Sequence, residues 1–135
     1  LLNLFKEFDE LKFHIFSKQT SVFNYVDNIL FYPINQLNFL DSMRTSFGII
    51  CNSGFQTTSE VLYLGKRLLT IPVKGQYEQL CNVEALNEIG VMSLTDLNNT
   101  SHNCIKDWFS STPVKINFKN NLEELLLQKM NRIRN

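Results

Sequence analysis

The sequence is poor in glycine: Gly48, Gly54, Gly65, Gly75 and Gly90 are all that occur in 135 residues. They never fall into the G-x-G-x-x-G or Walker spacing, which excludes classical dinucleotide binding and P-loop phosphoryl transfer. Cysteine is scarce as well. Cys51, Cys81 and Cys104 are widely spaced and form no Cys-x-x-Cys pair. That argues against a disulfide framework and for buried structural thiols in a reduced, cytosolic setting. An excess of one charge is also missing, because 13 Lys and Arg balance 13 Asp and Glu. Without a basic footprint, no DNA or RNA surface is expected. There is no Asp-x-Asp cluster, and His14 and His102 lie far apart without obvious ligand partners, so no metal site is expected. Apolar runs such as Leu125-Leu126-Leu127 and Ile29-Leu30-Phe31-Tyr32 are far too short to cross a bilayer. The opening run, Leu1 to Glu7, has an early acid and no small-residue cleavage site, and reads as an amphipathic helix rather than a signal peptide.

What is present describes one globular domain over residues 1–135. Hydrophobic residues at 44% against 19% charged are enough to bury a core and too many for a disordered chain. Short apolar runs alternate with helical periodicity, which predicts an α/β, Rossmann-like fold with a mainly parallel sheet flanked by helices. Helices are expected over 1–11, Phe39–Phe47, Phe55–Leu64, Gln76–Ile89, His102–Ser110 and Leu122–Arg132. Strands are expected over Phe13–Ser17, Ile29–Pro33, Gly48–Asn52, Leu68–Val73 and Val91–Leu94, with Gly48–Asn52 apolar throughout as a central parallel strand should be. A doubly wound unit normally begins with a strand and a glycine-containing turn, whereas this chain begins with a helix. The first strand is therefore expected in a larger protein of which these residues are a fragment.

The chemistry concentrates in Asn52-Ser53-Gly54-Phe55-Gln56-Thr57-Thr58-Ser59-Glu60, which links a buried strand to a helix. Open α/β sheets bind ligands at such turns. Free N–H groups there favour an anion, and Gly54 admits a phosphate close to the backbone. Gln56 and Thr57 add neutral donors, and Glu60 one turn on suits paired sugar hydroxyls. A ligand-free reading fits the same residues: Ser53-x-x-Gln56 and Thr57-x-x-Glu60 both match a capping box. Taken alone, these residues favour capping. The segment Pro72-Val73-Lys74-Gly75-Gln76-Tyr77-Glu78-Gln79 follows the next strand, so its loop should open on the same sheet edge, where Glu78 and Gln79 suit the hydroxyls of a hexose.

Together the two segments resemble the donor-binding signature of GT-B glycosyltransferases, nearest to family-28 C-terminal domains, the group of the peptidoglycan N-acetylglucosaminyltransferase. The signature residues are Gly54, Phe55, Gln56, Thr57, Glu60, Gly65, Pro72, Glu78, Gln79 and Asn82. The resemblance implies the nucleotide-sugar half of an inverting, metal-independent transferase that uses a UDP-linked hexose or N-acetylhexosamine and no further cofactor. By position, Ser53, Gly54, Gln56 and Thr57 would face the diphosphate. Glu60 would hold the ribose, Glu78 and Gln79 the sugar, and the backbone around Ile34 the base. Asn52 stands where plant and animal relatives carry His, and Arg67 departs from the proline usual after Gly65. The general base would come from an acceptor-binding N-terminal domain or subunit, through which any membrane contact would also run, so no catalytic residue is named. The fragment alone is expected to be inactive. The rivals are a sugar-nucleotide 2-epimerase, whose paired acids are missing here, and a non-catalytic docking subunit. The last helix, with Leu122, Leu125, Leu126 and Ile133, would then dock on the acceptor domain or cover its own sheet.

Overall fold

The computed structural model describes residues 2–97 and 102–119. In chain order the elements are α1 (Leu2–Lys6), β1 (Phe13–Ser17), β2 (Asn24–Val26), β3 (Ile29–Pro33), α2 (Gln36–Thr45), β4 (Gly48–Cys51), α3 (Phe55–Leu64), β5 (Arg67–Thr70), α4 (Tyr77–Glu88), β6 (Met92–Ser93) and α5 (His102–Ser110). The expected helix at Leu122–Arg132 lies outside the described residues.

The α/β, Rossmann-like class holds, but the strands form two sheets of three, ordered β1-β3-β2 and β4-β5-β6. All pairings are parallel except β2 with β3. Two expectations are corrected here. The strand β2 has no counterpart in the apolar pattern because all its residues are exposed. It forms because Asp27 adopts a left-handed φ of 54° and closes a two-residue turn that sets Val26 opposite Ile29. And β4, apolar enough for a central position, sits at the border of its sheet with every residue partly exposed, while β5 is the central strand.

Side chains alternate across β4 and β5, so each strand feeds both faces. Ile50 and Leu69 join Leu4, Phe5, Phe8, Ile29, Ile105 and Trp108 in one core cluster, under α1 and α5. Phe13, Ile15 and Phe31 of the first sheet pack on that same cluster, so the two sheets share a core. Ile49 and Leu68 turn to the other face and pack with Met43, Val61, Leu62 and Leu86 of α2, α3 and α4. Burying a side chain such as Leu69, fully enclosed at 0% exposure, stabilises the fold by roughly 1.5–3 kcal/mol. Gly48 is required by packing. A Cβ there would lie 2.7 Å from Trp108 Cζ2 and 3.0 Å from Arg67 Cβ.

Element ends follow local chemistry. The helix expected over 1–11 stops at Lys6, and the Asn28 amide nitrogen reaches the carbonyls of Phe5, Phe8 and Leu11 at 3.0, 2.9 and 3.0 Å. Helix α2 starts earlier than its periodicity indicates because Asn35 caps it, accepting the Leu37 N–H at 3.0 Å. Gly65, at φ 65°, closes α3 with its N–H on the last turn, as its position predicts. Strand β5 ends at Thr70, before Pro72, rather than at Val73. Among the described residues, no helix is long and apolar enough to cross a membrane.

Candidate functional site

Parallel pairing sets Cys51 beside Thr70 at the carboxyl ends of β4 and β5. The loops 52–54 and 71–76 therefore open on one edge of the sheet, as the sequence predicts. Ile71 extends the pairing by donating its N–H to the Cys51 carbonyl at 2.9 Å.

The start of α3 overturns the capping reading. The N-cap residue is Gly54, not Ser53 or Thr57, and among the described residues no side chain caps the helix. Its first-turn N–H groups belong to Phe55, Gln56 and Thr57; of the residues expected to face the diphosphate, Gln56 and Thr57 are among them, whereas Gly54 is the N-cap and Ser53 precedes it. Gly54 itself has an ordinary φ of −68°, and an added Cβ would meet only Asn52 Oδ1, at 3.2 Å. Neither strain nor packing demands glycine at that position. Thr58, which the sequence reading left unassigned, is buried and steadies the turn: its hydroxyl lies 2.9 Å from the Gly54 carbonyl.

The remaining positions separate into exposed and buried groups. Phe55 is 72% exposed at the mouth of the turn, and Gln56 is exposed beside it. Gln56 donates to Glu60 Oε1 at 3.3 Å, holding the carboxylate on the same face of α3. Glu78 is exposed in the first turn of α4, and Ile34 is exposed just past β3. Ser53 and Gln79, by contrast, are buried. The Ser53 hydroxyl donates to the Gln79 carbonyl at 2.8 Å, so it points into the protein in this conformation. The Gln79 side chain is likewise turned inward, accepting the Val73 N–H at 2.9 Å and donating to Gln76 Oε1 at 2.6 Å. Asn82 completes the seam, donating to the Ser53 carbonyl at 2.9 Å. Spacing marked Asn82 as part of the signature, but this hydrogen bond ties α4 to the loop after β4 and has no local sequence signal.

Thr70 was not foreseen. Its hydroxyl is buried at the end of the central strand β5 and has no hydrogen-bond partner among the described residues. Cys51 is adjacent to the site, and burial pushes its thiol pKa up to about 12, which disfavours the thiolate form. The expectation of buried thiols fails for Cys81, which is exposed; the three cysteines are free. Two surface depressions, one lined by Lys6, Asp9, Lys12 and Asp27 and the other by residues 19–24, Val26 and Phe31, share no residue with the loops after β4 and β5. Among the described residues, no group of three or more His, Cys, Asp or Glu is placed to hold a metal ion.

The site thus combines an uncapped helix start, a held carboxylate one turn later and a second acid in the first turn of α4, all at one sheet edge. No curated protein and no solved structure matches the chain. A family model described as glycosyl transferase family 1 matches residues 2–113, and the chain belongs to that family.

Proposed function

We propose that this domain binds the nucleotide-sugar donor of an inverting, metal-independent glycosyltransferase, with a UDP-linked hexose or N-acetylhexosamine as donor. Family membership makes glycosyl transfer the reaction class. The observation that carries the finer reading is the side-chain-free start of α3 at Gly54, facing the same edge as the loop after β5. A diphosphate there accepts N–H groups and meets the positive end of the helix. Stabilising the departing diphosphate in this way promotes cleavage of the bond from the anomeric carbon to phosphate oxygen. The sequence offers no Asp-x-Asp for a metal to perform that task.

Glu60, one turn into α3 and held by Gln56, accepts the ribose hydroxyls. Exposed Glu78 accepts hydroxyls of the sugar, and the backbone at Ile34 meets the base. The acceptor and the general base that deprotonates it come from a partner domain or subunit. The likeness to family-28 C-terminal domains rests on Gly54, Phe55, Gln56, Thr57, Glu60, Glu78 and Gln79 and supports the uridine preference. The test is competition among UDP, GDP and dTDP for the purified domain. UDP should bind most tightly, and Glu60→Ala should weaken it about tenfold, as expected for lost hydrogen bonds to a charged group. Equal binding of all three, unaffected by Glu60→Ala, would contradict the assignment.

A further inference from the structure

The loop after β5 makes a tight turn before α4 begins. Gln76 donates its N–H to the Val73 carbonyl at 3.2 Å, and Gly75, just before it, has a φ of 82°. A left-handed third residue is the pattern of a type II turn, with Lys74 at the second position. Gly75 serves the backbone alone, since an added Cβ would meet nothing within 4 Å. Lys74 is exposed at the apex, and its ammonium has no ion pair or hydrogen bond among the described residues.

This turn stands close to the start of α3. Val73 N and Ser53 Oγ lie 2.9 and 3.4 Å from one atom, Gln79 Oε1. Lys74 follows the first of these residues and Gly54 the second, and the flexible four-carbon stem of a lysine carries its charge across such a gap. Residues 52–60 and 71–79 contain two acids, Glu60 and Glu78, and a single cation, Lys74. Both carboxylates repel a diphosphate, while the start of a helix offers only about half a positive charge to attract it.

We propose that Lys74 pairs its ammonium with the diphosphate of the donor and stabilises that group as it departs. The proposal rests on the donor-site reading above and adds the full positive charge which that reading lacks. During transfer the bond from the anomeric carbon to the phosphate oxygen breaks, and its electron pair stays on that oxygen. The acceptor oxygen forms the new bond to the carbon and yields its proton to the general base of the partner domain or subunit. The nucleoside diphosphate therefore leaves with one more negative charge than it had in the donor. An ammonium beside it interacts more strongly in the transition state than in the ground state, and Lys74 keeps its own protons throughout.

The experiment measures UDP affinity from amide shifts of the purified chain, as wild type, Lys74→Gln and Lys74→Arg, at low and at high salt. Lys74→Gln should weaken UDP about three- to tenfold at low salt, a moderate factor because the lysine is exposed to water. The loss should shrink at high salt, and Lys74→Arg should bind within about twofold of wild type. Lys74→Gln that binds as tightly as wild type would overturn the proposal, as would a loss that salt leaves unchanged or that Lys74→Arg shares. Those outcomes leave the donor site standing where wild-type shifts fall at Phe55–Thr57. A wild type that binds none of UDP, GDP and dTDP overturns the donor-site reading, and this proposal with it.

Discussion

Asn82, in the second turn of α4, donates its side-chain N–H to the main-chain carbonyl of Ser53 at 2.9 Å. That bond joins α4 to the βα turn after β4, from which the sequence separates it by a helix and a strand, and it holds the residue just before the N-cap of α3. The geometry of the helix start is therefore a tertiary property, set from the neighbouring helix.

Gly54→Ala separates folding from binding. Gly54 has a φ of −68°, and the added methyl group meets only Asn52 Oδ1. Stability by urea denaturation should change by less than about 1 kcal/mol. Affinity for UDP should fall at least about tenfold, because the methyl group occupies the approach of the diphosphate.

Gly48→Ala should do the reverse. The new Cβ would sit 2.7 Å from Trp108 Cζ2, and such overpacking costs about 1–3 kcal/mol. Thermal denaturation should show a lower Tm, and the indole fluorescence of Trp108 should change with it.

Asn28→Ala should also destabilise the fold, by about 1–3 kcal/mol, since buried carbonyls would lose their donor. The carbonyls affected are those of Phe5, Phe8 and Leu11, so faster hydrogen exchange should appear first in residues 2–11.

Cysteine chemistry gives a pH test. Exposed Cys81 should react with iodoacetamide at pH 8.5 while Cys51, its thiol raised from 9.0 to about 12 by burial, stays unlabelled in the folded protein. A raised thiol pKa means that the unfolded chain loses its proton first. The Cys51 contribution to stability is thus intact below about pH 9 and lost as pH rises towards 12, with a slope of at most about 1.4 kcal/mol per pH unit. Cys51→Ala should flatten the denaturation profile over that window.

These contrasts show what could be read from residues alone. Helix α3 and its Gly65 stop were legible because apolar spacing and a left-handed glycine are local signals. Shared loop edges followed from the alternation of strands and helices, which implies parallel pairing. The capping boxes misled, since Ser53-x-x-Gln56 has the right spacing but the N-cap falls one residue later, at Gly54. The inward turn of Ser53 depends on the Gln79 carbonyl of α4, and that of Gln79 on the Val73 N–H of the loop before its own helix, and no spacing rule records either. Strand β2 escaped notice because exposed residues carry no burial pattern. Its Asp27-Asn28 turn was the available signal.

The measurement that bears most directly on the account is a map of amide shifts as UDP is added to the domain. Shifts should concentrate at Gly54–Glu60 and near Ile34, UDP-sugars should add shifts at Glu78, and Gly54→Ala should move the titration of all of them to at least about tenfold higher ligand concentration. Saturable binding with shifts elsewhere, such as around Lys6, Asp9 and Asp27, or shifts at α3 that persist undiminished in Gly54→Ala, would contradict it.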